Sequence, residues 1–373
     1  MNILIVNLIL TTAEKGVITR RKSIKDTMAS NFAKGFIKCG HTATILASEE
    51  FRPTEDNDYP FEVVYFKSVM PRVFKPALLP YPKGFTKWLR ENKHRYDMVI
   101  SVESFSIATL LTARVMRDKL IIWQELSLHQ HKFFKIPSLL WYNLVVRGYL
   151  NGIPVIGNTE AARDFVAQYT RSVVPETVTH GVNGELLVPC DDMQRYFVIL
   201  ARLVPGKNID KMIATFARFI KLPGFEDYHL NIIGDGEEDQ NLKVLIVSLG
   251  VGENVHLLGF KSHDEMAQIL NKATAILINT SKDLSMVSVP ESIVSGTPVL
   301  MNTVPCNHTY VRNDSLGIVK DNWDEHDLAE MVRLYPEFHE ACKRKRPQLT
   351  AEGVAGSMVA LFKKYKRRYT ALD

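Results

Sequence analysis

The chain alternates between short runs that are almost wholly apolar and longer stretches in which apolar residues return every third or fourth position. From Asn2 to Leu10 the only strongly polar side chains are Asn2 and Asn7, the pattern of a strand covered on both faces in a parallel sheet. Met28, Phe32 and Phe36 then recur at four-residue spacing, with Gly40 standing where a helix C-cap would. Thr42 to Ala47 is the next strand, so the first 47 residues read as a βαβ unit. Tyr96 to Val102 and Leu120 to Trp123 repeat the theme, with a helix from about Ile107 to Val115 between them, and Ile153 to Ile156 is a further short strand. Strands and helices alternating at this spacing predict a doubly wound parallel sheet.

The alternation restarts at Tyr196. Strand Phe197 to Leu200 precedes Ile209, Met212, Ile213, Phe216 and Ile220 at helical spacing. Leu230 to Ile233, Val255 to Leu258, Ala275 to Ile278 and Val299 to Asn302 then alternate with helical segments. A chain of 373 residues is too long for one ordinary core. The fold class expected is therefore α/β, with two Rossmann-like domains facing across a cleft, one over residues 1–191 and one over 192–356. Residues 357–373 form a basic C-terminal helix, and the linker is placed at Pro189 to Gln194. Open α/β sheets bind ligands at the carboxyl ends of their strands, so the loops following those strands are where chemistry is expected.

Composition adds little beyond a soluble class: 46% hydrophobic and 23% charged residues are ordinary values. Cys39, Cys190, Cys306 and Cys342 are too far apart for a zinc or redox motif. The opening MNILIVNLIL lacks a basic lead and a small-residue cleavage site, and reads as a strand, not a signal peptide. No run approaches the roughly 18 to 20 apolar residues that span a bilayer, so a cytoplasmic protein is expected. The net charge of +5 is uneven, since the seven residues Lys363 to Tyr369 carry five cations. That tail suits either a solvated helix end or peripheral contact with the inner face of an anionic membrane; nucleic acid is not an expected partner.

Two loops carry the candidate chemistry. Ala201-Arg202-Leu203-Val204-Pro205-Gly206-Lys207-Asn208 follows a strand and precedes a helix. Its two cations, which alone would be unremarked surface charges, can converge on one diphosphate and neutralise a leaving phosphate without a metal. Further on, Asp283 and Glu291 flank a loop of small residues that opens a helix, with Pro290 in the first turn. A carboxylate there either serves the helix start or grips the vicinal hydroxyls of a ribose.

Together these elements carry a resemblance. The ordered set is Arg202-Leu203-x3-Lys207, then Ile232-x-Gly234-Asp235-Gly236, then Asn254-Val255-x2-Leu258-Gly259-Phe260. It continues with Asp283 eight before Glu291 and ends with Ser295-Gly296-Thr297-Pro298-Val299. Residues 198–332 resemble the donor domain of glycosyltransferase family 4, retaining enzymes of group 1 type with the two-Rossmann-domain glycosyltransferase-B fold. The resemblance implies that Arg202 and Lys207 bind the donor diphosphate and that Glu291 holds the ribose. It places Asp283 where the first glutamate of an E-x7-E pair meets the transferred sugar. Phe260 would border the base, and Gly234, Ser285, Met286 and Val287 would complete the donor site. The last helix would cross back to the first domain. Two departures stand out: Asp283 is one methylene shorter than the family's glutamate, and Leu284-Ser285-Met286 replaces the usual Gly-Phe-Gly.

The first half resembles the family's acceptor domain only in organisation, through Ile156-Gly157-Asn158-Thr159-Glu160 and Thr179-His180-Gly181-Val182-Asn183. A family histidine that contacts the donor sugar is matched best by His129, with His131 and Glu125 as competitors and a structural role also open. The basic loop Lys15 to Lys25, with Arg20, Arg21 and Lys22, lies where an anionic or lipid-diphosphate acceptor would enter. Trp88 and Trp141 are better placed in the core than on a sugar. The function implied is a metal-independent, retaining transfer of a sugar from a UDP- or GDP-sugar to a glycan or lipid-linked acceptor, in surface polysaccharide synthesis and with no cofactor or metal. The alternatives are a degenerate, non-catalytic binder of nucleotide sugar or glycan, and a sugar-nucleotide epimerase, whose extra acid and base carboxylates are not identifiable in the sequence.

Overall fold

The computed structural model of the chain describes residues 1–11, 13, 17–55, 58–130 and 135–369, the last four of these by backbone alone. They form two compact units: Met1–Gly181 with Ala351–Asp373, and Val182–Thr350.

In the first unit, β1 (Asn2–Val6), α1 (Met28–Lys38), β2 (Thr42–Ser48), β3 (Glu62–Phe66), α2 (Phe85–Asn92) and β4 (Met98–Val102) are followed by α3 (Ile107–Met116) and β5 (Leu120–Gln124). Then come α4 (Ile136–Trp141), which runs on into a wider π-helical stretch Tyr142–Tyr149, β6 (Val155–Gly157), α5 (Glu160–Ala167) and β7 (Val173–Thr177). The strands form one parallel sheet in the order β3-β2-β1-β4-β5-β6-β7. Register sets Ile3 opposite Ala43 on one side and Met98 on the other. The period of two along β1 then divides the core: Ile3 and Ile5 enter the cluster under α1, and Leu4 and Val6 the cluster that holds Phe85 and Leu89 of α2. Gly40 takes φ +77° just past α1, as a C-cap glycine does.

The second unit repeats the plan with β8 (Tyr196–Leu200), α6 (Ile209–Phe219), β9 (His229–Ile233), α7 (Asp239–Leu249), β10 (Val255–Gly259), α8 (His263–Leu270) and β11 (Ala275–Ile278). It continues through α9 (Ser288–Val294), β12 (Val299–Met301), α10 (His308–Asn313), β13 (Gly317–Val319), α11 (Glu325–Arg333) and α12 (Tyr335–Leu349). Its parallel sheet runs β10-β9-β8-β11-β12-β13. Phe197 and Ile199 bury on one face, Val198 on the other.

The last helix, α13 (Ala351–Tyr369), belongs to the first unit. Val354, Ala355, Met358 and Phe362 enter the same cluster as Phe32 and Phe36 of α1. The approach is close enough that a Cβ on Gly35 would overlap the carbonyl oxygen of Ala351. The division between units falls at Gly181/Val182 and at Thr350/Ala351, ahead of the expected 191/192 and 356/357. The physical reason is that the segment after Gly181 is tied to the end of α12: Val182 donates to the Leu349 carbonyl at 3.0 Å, and Arg346 donates to the carbonyls of Gly184 and Leu187. Among the described residues no helix is long and apolar enough to cross a membrane.

Candidate active site

In the second unit the strand order reverses direction between β8 and β11, the position at which doubly wound sheets bind ligands beyond their carboxyl ends. The loops leaving those two strands are laced together. Asn208, held at φ +47°, donates its side-chain amide to the Asn279 carbonyl at 2.8 Å. The Gly206 carbonyl accepts from the Ser281 amide at 2.9 Å and from the Thr280 and Ser281 hydroxyls at 3.1 Å each. This lacing brings Lys207 and Asp283 together at 2.7 Å, with the lysine side chain only 15% exposed. The Thr280 hydroxyl donates to the same Asp283 oxygen.

Arg202 is exposed two residues past β8, on a loop that rests on the turn after β9. Gly234 and Gly236 have φ of +143° and +155°, and a Cβ on either would overlap the carbonyl oxygen of Ala201 or Leu203. Leu203 donates to the Asp235 carbonyl at 2.7 Å, and Glu238 donates back to Leu203 at 3.0 Å. The two glycines are thus what lets the backbones stack and hold Arg202 at the strand end.

The segment Leu284-Ser285-Met286 takes a route that needs no glycine, since none of the three has a positive φ. Cys306 donates to the Leu284 carbonyl at 2.8 Å, and the buried Asn307 side chain accepts from the Met286 amide at 2.7 Å. Met286 is buried and Val287 exposed. The Ser285 and Ser288 hydroxyls are buried with no hydrogen-bond partner among the described residues. Glu291 lies on α9 with its side chain 13% exposed and an oxygen 3.8 Å from His263 Nε2. Phe260, three residues before His263, is 75% exposed after Gly259 at φ +68°. His263 opens α8, whose N-cap Ser262 and Glu265 form a capping box; that box was a readable signal that the histidine starts a helix.

In the first unit the carboxyl ends of β4 and β5 hold a second polar group. Glu103, at φ +70°, accepts from the backbone amides of Glu125 and Leu126 at 2.8 Å each, while its other carboxylate oxygen is buried and unbonded among the described residues. A non-glycine residue held at positive φ beside a strand end is a recurring mark of functional sites. Burial, reinforced by the nearby Glu125 charge, pushes the Glu103 carboxyl up to about 8. Glu125 is also raised by burial, with His180 opposing the shift, and its Oε1 lies 3.3 Å from His180 Nε2. Trp123 braces His180 edge-on at 5.2 Å. Glu103 and His180 were not read as chemistry from the sequence, because they sit on separate segments that only the sheet brings together.

His129 is bonded at both ring nitrogens, Nδ1 to Ser138 and Nε2 to Tyr169 at 2.9 Å each, and is packed edge-on against Tyr142 and Phe165. Burial, with Lys135 nearby, holds its pKa below the usual imidazole value. His131 lies outside the described residues, as does Lys15. Arg20, Arg21 and Lys22 are exposed, with Lys22 3.5 Å from Glu55. Trp88 packs against Phe66, and Trp141 donates to the Ser104 carbonyl. Of the C-terminal cations, Lys364 pairs with Glu176 at 2.6 Å. Asp191, His339 and Glu340 are the one group among the described residues whose ligand atoms converge as a metal would require, and Lys343 already bridges both carboxylates.

Two parallel-sheet Rossmann-like units of this kind make the fold seen in glycosyltransferases of the two-Rossmann-unit type. A structure of Alr3699/HepE from Anabaena in complex with UDP superposes with a TM-score of 0.65 at 13% identity, over 98% of this chain and 100% of that one. Sucrose-phosphate synthase from Thermosynechococcus elongatus matches with a TM-score of 0.65 at 12% identity, over 97% and 98%. Residues 189–346 match the family model of glycosyl transferases group 1, and the chain is an enzyme of the glycosyltransferase class. The alpha-monoglucosyldiacylglycerol synthase of Streptococcus pneumoniae is 23% identical over 84% of this chain and 76% of its own length. The O-antigen chain mannosyltransferase RfbU of Salmonella typhimurium is 23% identical over 45% and 46%.

Proposed function

We propose that the protein moves a sugar, with retention, from a UDP- or GDP-sugar held by its second unit to a lipid-linked or glycan acceptor in surface glycolipid or polysaccharide synthesis. The observation that carries this reading is the laced pair of loops after β8 and β11, which presents Lys207 and Asp283 at one spot and Arg202 on the same strand end. In the reaction the bond from the sugar's anomeric carbon to the phosphate oxygen breaks, and the diphosphate keeps the electron pair. Arg202 and Lys207 neutralise that charge, so the reading needs no metal. The acceptor oxygen attacks from the face the diphosphate leaves, and its proton passes to the departing phosphate oxygen. Glu291 receives the ribose hydroxyls and Phe260 borders the base. The relatives named as a glycolipid synthase and an O-antigen mannosyltransferase support the setting.

Replacing Glu291 with Ala removes a charge-assisted contact, and we expect a loss of roughly 10- to 100-fold in kcat/KM for the donor, measured as nucleotide release. Unchanged turnover would remove Glu291 from the ribose site. A second reading, a binder without turnover, is favoured by one observation: the Asp283 carboxylate already occupies Lys207. Tight nucleotide-sugar binding without release of nucleotide in the presence of any sugar or lipid acceptor would select it.

A further inference from the structure

The helical segment 136–149 of the first unit carries large apolar residues on its outward face as well as on its buried one. Ser138, Tyr142, Val146 and Leu150, four apart, are buried against the unit. The outward face carries Ile136, Leu140 and Leu144 at 54%, 55% and 69% exposure, with Leu139 beside them and Leu128 exposed just before the helix. Scattered exposed apolar residues need no explanation, but a contiguous stripe of large ones marks a contact surface. Its ends are cationic. Lys135 precedes the stripe and Arg147 closes it, both exposed, and Arg117 donates to the Tyr149 carbonyl at the far end. From residue 126 to residue 159 the sequence contains no Asp or Glu, while it contains Lys132, Lys135 and Arg147.

We propose that this face docks the first unit on an anionic lipid bilayer, with Ile136, Leu140 and Leu144 entering the headgroup-acyl boundary and the flanking cations meeting lipid phosphates. Leucines on one face and cations at its margins, without carboxylates, are the chemistry that an anionic interface recognises. A second copy of the chain fits less well, because a self-complementary contact would set these cations against themselves. The segment follows β5, whose carboxyl end carries Glu125 of the polar group described above. Docking there sets the bilayer beside that end of the sheet and gives a lipid-linked acceptor a short path to it. The surface is distinct from the C-terminal cations, and its lipid contact stands or falls apart from the transfer reaction.

The test is flotation of the full chain with vesicles of equimolar phosphatidylglycerol and phosphatidylcholine, and with phosphatidylcholine alone. We expect binding to the anionic vesicles, and a fall of about tenfold or more in partitioning for the Leu140→Ser, Leu144→Ser double variant. The double variant should keep the parent's unfolding midpoint and nucleotide affinity, so that lost docking is not mistaken for lost folding or lost donor binding. Neutralising the tail with Lys366→Gln, Arg367→Gln and Arg368→Gln should leave most of the binding in place. The proposal is overturned if the parent chain does not float with anionic vesicles, if the double variant floats like the parent, or if the tail variant alone abolishes flotation. It is equally overturned if the leucine substitutions dissociate a dimer while leaving vesicle binding unchanged.

Discussion

Lys207 lies in an ion pair with Asp283 at 2.7 Å, so in the function proposed a diphosphate would compete with a carboxylate of the protein itself for that cation. Removing the competing charge should help the nucleotide and harm the reaction. Asp283→Asn is expected to tighten nucleoside diphosphate binding by about fivefold, equivalent to roughly 1 kcal/mol, while lowering transfer; calorimetric titration and a turnover assay on the same preparation check both halves. Weaker binding by the variant would show that Asp283 supports Lys207 instead of blocking it. At this scale the loops after β8 and β11 were legible as the place to look, because Arg202, Lys207, Asp283 and Glu291 follow one another along one stretch of chain. The pairing of Lys207 with Asp283 was not, since it depends on Gly206 accepting three hydrogen bonds from the neighbouring loop. Glu103 and His180 were missed because nothing in their local sequence announces the partners that they meet, whereas for His263 the helix start was readable from its capping box and only the approach to Glu291 was not.

The ends of β4 and β5 form one element-sized device, in which the Glu103 carboxyl holds the backbone of residues 125 and 126. Its pKa stands at about 8 against an ordinary value of 4.5, so the folded state keeps a proton that the unfolded chain releases. Between those two values the native state binds more protons than the unfolded state, and stability must fall as pH rises through that window. Glu103→Gln keeps an oxygen for the two amides and removes the titration. Near pH 5 the variant should match the parent, and near pH 8 it should unfold at a higher temperature; parallel pH profiles for the two proteins would contradict the assignment. Elements themselves were readable where burial on both faces makes a run almost wholly apolar, as in β1, β4 and β11. The edge strands β3, β7 and β13 were not read: Pro175 and Glu176 break the apolar run of β7, and β13 is only three residues long, Gly317–Val319. The route of Leu284 to Met286 was also hidden, since its anchor, Asn307, lies beyond the next strand.

On the scale of the whole molecule, the chain leaves its first unit at Gly181 and returns to it at Ala351. The returning helix contributes Val354, Met358, Val359, Leu361 and Phe362 to the first unit's core, and burying side chains of this kind contributes about 1.5 to 3 kcal/mol each as an upper estimate. A chain ending at Thr350 should therefore lose the cooperative thermal transition of its first unit and bind a hydrophobic dye, with the second unit's transition retained. A truncated protein that melts like the parent would show that α13 is dispensable. The two-sheet plan was legible from alternation alone, but the points where the chain passes between units were not. The contact that sets them, Val182 against Leu349, joins residues far apart in sequence, and the composition of Pro189 to Gln194 resembles a linker although Cys190 and Asp191 belong with the second unit.

The proposed metal-free diphosphate site on the second unit is best tested by calorimetric titration of UDP, GDP and the matching monophosphates into the full chain. One diphosphate should bind in the presence of EDTA as it does with magnesium, the monophosphate should bind more weakly, and Arg202→Ala with Lys207→Ala should lower the affinity by about 100-fold or more. Binding that requires the metal, or a double variant that binds as tightly as the parent, would contradict it.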